Sequence, residues 1–217
     1  MPKITAIEVK KRDPNRVNIH LDGEYAFGLA RITAAWLKVG MEIDLQKIER
    51  LQADDARERA YQQTLHYLQH RARSEEEIRQ NLRKHKVDEA IIEETIKRLR
   101  RGRLADDDQF AKIWVENRSA FRPRSRRALT IELKQKGLTE PAIKSALEAV
   151  DDEAMAYEAA VKRIRRLEGL EWPDFRKKLG EFLVRRGFSY SIIAPVVTKV
   201  WNERHSPKQY FEDKDIA

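Results

Sequence analysis

The chain has 217 residues, 37% charged and 41% hydrophobic, and 44 Lys and Arg against 36 Asp and Glu give a net charge of +8. That balance fits a soluble, helix-rich protein of one or two domains and excludes disordered and collagen-like classes. Cysteine is absent, which excludes disulfides and thiolate metal sites and fits a reducing compartment. No apolar run approaches the roughly 18 residues of a membrane span, and Met1-Pro2-Lys3-Ile4 lacks the apolar region of a secretory signal, so a cytoplasmic location with no membrane partner is expected.

The first 30 residues read as strands. Thr5, Ile7 and Val9 alternate with polar residues, Asp13-Pro14-Asn15 signals a turn, and Val17, Ile19 and Leu21 alternate up to Asp22-Gly23. Tyr25, Phe27 and Leu29 then alternate in a third strand. A two-residue loop at Asp22-Gly23 sets His20 opposite Tyr25 and splits the apolar sets between faces. A three-residue loop, Leu21-Asp22-Gly23 with Gly23 left-handed, sets Ile19 opposite Tyr25 and Val17 opposite Phe27 and is favoured. A short helix is expected over 32–39, stopped by Gly40, and then a helix capped by Asp44 that reaches about His70 with at most a break near Ala53.

From there the chain reads as helix throughout. Ser74 and Glu77 form a capping box, Asp88 starts the next helix and Gly102 ends it, and Asp106 with Gln109 forms a second box. Ser125 opens a helix stopped by Gly137. Thr139 caps another with Pro141 in its first turn, and Asp151-Asp152 open one reaching about Leu167. Pro173 starts a helix that Gly187 stops, and Ser189 opens the last, in which Pro195 should produce a kink.

Three stretches repeat one another. Residues 74–99 align with 125–150 and then with 175–200, which places Ile78, Leu129 and Leu179 in register. Leu82, Leu133 and Leu183 follow, then Val87, Leu138 and Phe188, then Ile92, Ile143 and Ile193, then Ile96, Leu147 and Val197. The turns also align, as His85-Lys86-Val87, Lys136-Gly137-Leu138 and Arg186-Gly187-Phe188. Such self-similarity marks stacked supersecondary units. The expected fold is mainly α: three tandem three-helix repeats in an elongated curved body, preceded by a small three-strand extension. The expected boundaries are 1–51 for the extension, 52–105, 106–150 and 151–205 for the repeats, and 206–217 for a flexible tail. A unit of this size buries little alone, so stacking should complete its core.

No catalytic constellation emerges. His66 and His70 share a helix face at a zinc-compatible spacing but lack a third ligand. Asp106-Asp107-Asp108 could hold a hard cation, even a nuclease metal, but acidic residues at a helix start complement its dipole. Gly102, Gly137 and Gly187 sit where helices end rather than in a phosphate loop, and Ser74, Ser125 and Ser189 read as caps without a positioned base. A non-enzyme without cofactor, metal or small-molecule substrate is expected.

Arginine gathers at the helix joints instead. Arg71 and Arg73 precede the first box; Arg98, Arg100, Arg101 and Arg103 surround Gly102; Arg118, Arg122, Arg124, Arg126 and Arg127 surround Pro123. Lys162, Arg163, Arg165 and Arg166 share a helix, followed by Arg176, Lys177, Lys178, Arg185 and Arg186. The guanidinium fork suits bidentate contact with phosphate or carboxylate. Any single arginine reads first as a solvated helix residue paired at i, i+4, a reading that is weaker over residues 122–127, where arginines crowd and apolar positions are few. Trp114, Phe121 and Trp172 lie near these clusters and could stack on bases, although Trp114 at helical spacing from Phe110 fits a core position.

Four ordered motifs carry a family resemblance: Arg71-Ala72-Arg73-Ser74-x-x-Glu77-Ile78; Leu104-x-Asp106-Asp107-x-x-Phe110-Ala111-x-x-Trp114-Val115-x-x-Arg118; Arg124-Ser125-Arg126-Arg127-x-Leu129-x-x-Glu132-Leu133-x-x-Lys136-Gly137; and Phe182-Leu183-x-Arg185-Arg186-Gly187-Phe188-Ser189-Tyr190. Over about residues 60–202 the chain resembles the RecX family of bacterial regulatory proteins. The resemblance implies a protein that binds the RecA recombinase filament on DNA, limits its extension or stability, and lowers ATP hydrolysis and strand exchange by occupancy. It thereby places the chain in DNA repair, recombination and the SOS response. The expected contacts are Arg73, Arg122, Arg124, Arg126 and Arg127, with Lys162, Arg165, Arg176, Lys177 and Arg186 as a second group, on a protein expected to be monomeric. The alternative is a helical module that binds duplex or single-stranded DNA directly.

Overall fold

A computed structural model describes residues 1–205; the tail expected over 206–217 lies outside the described residues. The chain divides into two compact units, Met1–Asp106 and Asp107–Ala217. No helix among the described residues is long and apolar enough to cross a membrane.

The first unit opens with a three-stranded antiparallel sheet ordered β1 (Ile4–Lys10), β2 (Asp13–Leu21) and β3 (Glu24–Ala30). The first turn is Lys11-Arg12, with Lys10 paired to Asp13, not Asp13-Pro14-Asn15 as expected. Pro14 is accommodated at the beginning of a strand, where its missing donor costs least. The hairpin also differs from expectation. Its loop is the two-residue Asp22-Gly23, with both residues left-handed at φ 51° and 95°, and His20 pairs with Tyr25. A bulge between Ile19 and His20 then sets Ile19 opposite Phe27 and Val17 opposite Leu29. One extra residue in β3, rather than a longer loop, returns all four apolar side chains to the buried face.

Successive turns, not a helix, occupy residues 31–36. One i−4 bond, from the Ala34 N–H to the Ala30 carbonyl (3.1 Å), gives way to i−3 bonds at Ala35 and Leu37. The chain beyond is captured by the sheet: the Gly40 N–H donates to the Ile4 carbonyl at 2.8 Å, and the Ile4 N–H to the Met41 carbonyl at 2.9 Å. Those bonds, with β-branched Ile32 and Thr33, outweigh a single helical turn.

Helix α1 (Leu45–Leu68) is capped by Asp44 and runs without a break. Buried Asp55 fastens it to the sheet, accepting from Arg16 Nη1 and Nη2 at 3.2 and 2.9 Å and from the Ala30 N–H at 2.5 Å. With α2 (Glu75–Lys84) and α3 (Glu89–Arg101) it encloses Ala60, Ile78, Leu82, Ile92, Ile96 and Leu99. Ser74 and Glu77 form the expected reciprocal box, and Asp88 caps α3.

The second unit comprises α4 (Asp107–Phe121), α5 (Arg126–Gln135), α6 (Glu140–Leu147), α7 (Asp152–Ile164), a 3-10 turn (Arg165–Leu167), α8 (Trp172–Arg185) and α9 (Tyr190–His205). Ser125 and Asp151 cap as expected. Thr139 holds the capping position, with Pro141 in the first turn as expected, but its side chain makes no cap bond. Buried residues from Phe110 to Val200 form one continuous core shared by the second and third repeats.

The repeat frame is physical. Ile78, Leu129, Leu179, Leu82, Leu133 and Leu183 are all fully buried. At the aligned turns Lys86, Gly137 and Gly187 are left-handed at φ 59°, 80° and 91°. The next N–H in each returns to the carbonyl of Leu82, Leu133 or Leu183 at 3.2, 3.2 and 3.3 Å, a bond that ends each helix the same way.

Candidate partner interface

The second unit draws five guanidinium groups together around the connection between α4 and α5. Arg118 lies in the last turn of α4, Arg122 and Arg124 on the connection, Arg163 on α7 and Arg186 at the end of α8. Backbone geometry sets this convergence. The left-handed turn at Gly187 lets the Arg186 carbonyl accept from the Ser125 N–H at 3.1 Å. A Cβ on Gly187 would stand 2.6 Å from Ser125 Oγ and 2.8 Å from the Ala128 Cβ. Lys162 Nζ donates to the Ala120 carbonyl, tying α7 to the last turn of α4.

The cluster is short of negative charge. The mostly buried Glu132 carboxylate accepts from Arg118 Nε at 2.7 Å, Arg124 Nη1 at 2.7 Å and Trp114 Nε1 at 2.8 Å. The other bracing comes from aromatic faces: Arg118 lies 4.5 Å from the Trp114 ring centroid, and Arg163 and Arg186 lie 5.3 and 5.0 Å from that of Phe182. Ring quadrupoles attract the cations without neutralising them. Burial, and after it the charges of Arg124, Arg122, Arg118 and Arg163, push the Arg186 guanidinium below its ordinary value. The Nε atoms of Arg124 and Arg163 are buried without a hydrogen-bond partner. Such a site can accept an anion that completes its charge and its bonding.

The other expected contacts are dispersed. Arg126 and Arg127 are exposed in the first turn of α5, where the Arg126 N–H donates to Asp152 at 2.6 Å. Arg165 is exposed on the 3-10 turn. Arg176 donates to the Tyr190 hydroxyl at 3.2 Å and, with Lys177, lines a groove between α8 and α9. Arg73 lies in the first unit, 4.1 Å from the Tyr67 ring centroid, with its Nε buried and unpartnered. Of the aromatics flagged by sequence, Phe121 is 75% exposed, whereas Trp114 and Trp172 pack against the core.

Arg118 and Arg163 belong to the cluster but were not among the expected contacts. The Trp114–Arg118 and Phe182–Arg186 pairs are four residues apart, a helical spacing that was readable. Arg163 meets Phe182 across a helix boundary, and no local pattern announces it.

Seven of the fourteen arginines of the first unit are matched with acids, Arg16 with Asp55 and six others. Arg57 meets Glu94 at 2.8 Å, Arg71 meets Glu77 at 2.8 Å, Arg79 meets Glu93 at 2.7 Å, Arg83 meets Glu89 at 2.6 Å and Arg98 meets Glu58 at 2.7 Å. Arg100 pairs with Glu75. Glu58 shows the balance: burial pushes its carboxyl up, but hydrogen bonds from Gln62 and Arg98 and the Arg98 charge outweigh it and hold the group below its ordinary value.

Comparison with known proteins agrees with this architecture. Residues 2–44 match the model of the regulatory protein RecX N-terminal domain, and 60–99, 106–147 and 151–197 match the first, second and third RecX three-helix domains. The regulatory protein RecX of Bacillus cytotoxicus is 30% identical over 96% of this chain and 81% of its own length. That of Oceanobacillus iheyensis is 32% identical over 92% and 77%. A crystal structure of regulatory protein RecX aligns at a TM-score of 0.68 and 30% identity, covering 88% of this chain and 97% of that one. RecX from Lactobacillus salivarius shares the fold at a TM-score of 0.58 and 23% identity over 68% of this chain and 97% of that one. With its strand-rich start and all three helical domains matched in order, this chain belongs to the RecX family of regulatory proteins.

Proposed function

We propose that the protein is a negative regulator of the RecA recombinase. It binds the RecA filament on DNA, limits the filament's extension or stability, and lowers ATP hydrolysis and strand exchange by occupancy, without catalysis, as a cytoplasmic monomer. The observation that carries this reading is the under-neutralised arginine cluster of the second unit, on a chain of this regulatory family. Arg122, Arg124 and Arg186 form the centre of the contact face, Arg118 and Arg163 extend it, and the more dispersed Arg126, Arg127, Lys162 and Arg165 add exposed cations elsewhere on the second unit. Arg73 supplies a contact from the first unit. DNA phosphate and acidic protein surface both suit these groups.

The test is DNA-dependent ATP hydrolysis by the cognate RecA in the presence of excess protein. Inhibition is expected, and unchanged hydrolysis overturns the reading. Replacing exposed Arg122, Arg126 and Arg127 with Glu should abolish inhibition while circular dichroism stays that of the parent; Arg124 is spared because it holds Glu132. Tight, steeply salt-dependent binding to bare DNA without any effect on RecA would mark a direct DNA-binding module instead.

A further inference from the structure

Away from the arginine cluster, α8 and α9 leave an open groove of about 690 Å3. Along α8 its lining passes through Pro173, Arg176, Lys177, Gly180 and Val184, one helical face. At 1.5 Å per residue that face is roughly 16 Å long, about three helical turns. Ile193 of α9 is buried along the groove, while Val184 and Tyr190 on its walls are 60% and 68% exposed.

Gly180 is the informative residue. Glycine inside a helix costs about 1 kcal/mol relative to alanine, and here packing does not demand it. A Cβ at that position would meet only Ile193 Cγ2, at 3.9 Å, an ordinary contact. The fold tolerates a side chain there; its absence leaves the groove open. The charge on the lining has one sign: Arg176, steadied by the Tyr190 hydroxyl at 3.2 Å, and Lys177, with no carboxylate among the described lining residues. An apolar channel three turns long with cations beside it complements a helix that carries an apolar stripe between acidic flanks. A polynucleotide fits less well, because the channel offers two cations and much aliphatic surface.

We propose that the α8–α9 groove docks an amphipathic, acidic helix of a partner protein. This goes beyond the regulatory reading and does not rest on it. The probe is a fluorescein-labelled helical peptide of about 15 residues, with Leu along one face and Glu elsewhere, titrated with the full chain by anisotropy. A peptide with Lys in place of every Glu is the control. The acidic peptide should bind saturably and the Lys peptide about tenfold more weakly or not at all. Gly180→Leu, which fills the channel, should weaken binding at least about tenfold, as should the surface variant Arg176→Glu/Lys177→Glu, which does not depend on how the Leu packs. Arg122→Glu, outside the groove, should leave affinity within about twofold. Absent saturable binding, equal binding of the two peptides, or affinity unchanged in either groove variant overturns the proposal. So does displacement of the acidic peptide by a single-stranded oligonucleotide in the Arg122→Glu background, which would assign the groove to nucleic acid.

Discussion

Gly187→Ala tests whether the α8–α9 turn is what gathers the arginine cluster. Two costs add. An alanine held at φ 91° is strained, at about 1–2 kcal/mol. Its Cβ would also stand 2.6 Å from Ser125 Oγ and 2.8 Å from the Ala128 Cβ, so the turn must lift from the start of α5 or α5 must yield, at roughly 1–3 kcal/mol. Reduced freedom of the unfolded chain returns about 0.4–1 kcal/mol, leaving a net loss of about 1–4.6 kcal/mol. For a chain of this length the melting temperature should fall by roughly 2–18 °C. Gly169→Ala separates the two costs, because Gly169 is also left-handed, at φ 76°, with nothing within 4 Å of its Cβ position; it should lose only the strain. Urea midpoints at constant m-value supply the measurement. If Gly187→Ala costs no more than Gly169→Ala, the close approach of the turn to Ser125 contributes nothing. Movement of Arg186 away from Arg122 and Arg124 should also weaken inhibition of RecA at temperatures where the variant stays folded. A destabilised variant with full inhibition would separate the cluster's geometry from its function.

Two further outcomes follow from the charges. Glu132→Gln leaves Arg118 and Arg124 without their shared counter-charge and should cost about 2–4 kcal/mol, partly restored by sulfate but not by chloride at equal ionic strength, as read from thermal melts. Acid should loosen the first repeat. Hydrogen bonding from Arg83 and Arg79 holds the Glu89 and Glu93 carboxyls below their ordinary value. Their folded values thus lie below the unfolded ones, so their contribution is complete above about pH 4.3 and is lost as pH falls through the lowered values. Urea midpoints should drop across that window in the parent and less steeply in Glu89→Gln/Glu93→Gln.

Much of the helical frame was legible because its signals are local. Ser74, Asp88, Ser125 and Asp151 cap through their own side chains, and the apolar register from Ile78 to Val197 depends only on helical periodicity. The errors fall where distant residues decide. The bulge opposite Ile19 resolves a conflict between the turn preference of Asp22-Gly23 and the burial of Phe27 and Leu29, which a choice between two loop lengths cannot represent. Residues 31–36 take their shape from bonds that the following Gly40 and Met41 make with Ile4. At the site, Arg122, Arg124 and Arg186 were readable as members of basic joints. Their meeting, and that of Arg163 with Phe182, needs the packed second and third repeats.

Composition could not have located the charge that is free to act. Residues 1–106 and 107–217 each contain 22 Lys and Arg against 18 Asp and Glu, so the two units have the same formal excess. The difference lies in how guanidiniums are held. In the first unit, carboxylates of α1, α2 and α3 reach Arg57, Arg71, Arg79, Arg83, Arg98 and Arg100, and each such pair cancels the field it would project. In the second, Glu132 serves both Arg118 and Arg124, and the face of Phe182 holds Arg163 and Arg186. An aromatic face fixes a guanidinium in place yet leaves its charge and in-plane donors available. A carboxylate fixes it equally well but removes the charge. Two units of equal net charge therefore hold their arginines differently, one with carboxylates that join its own helices and the other largely with aromatic faces that leave the charge available.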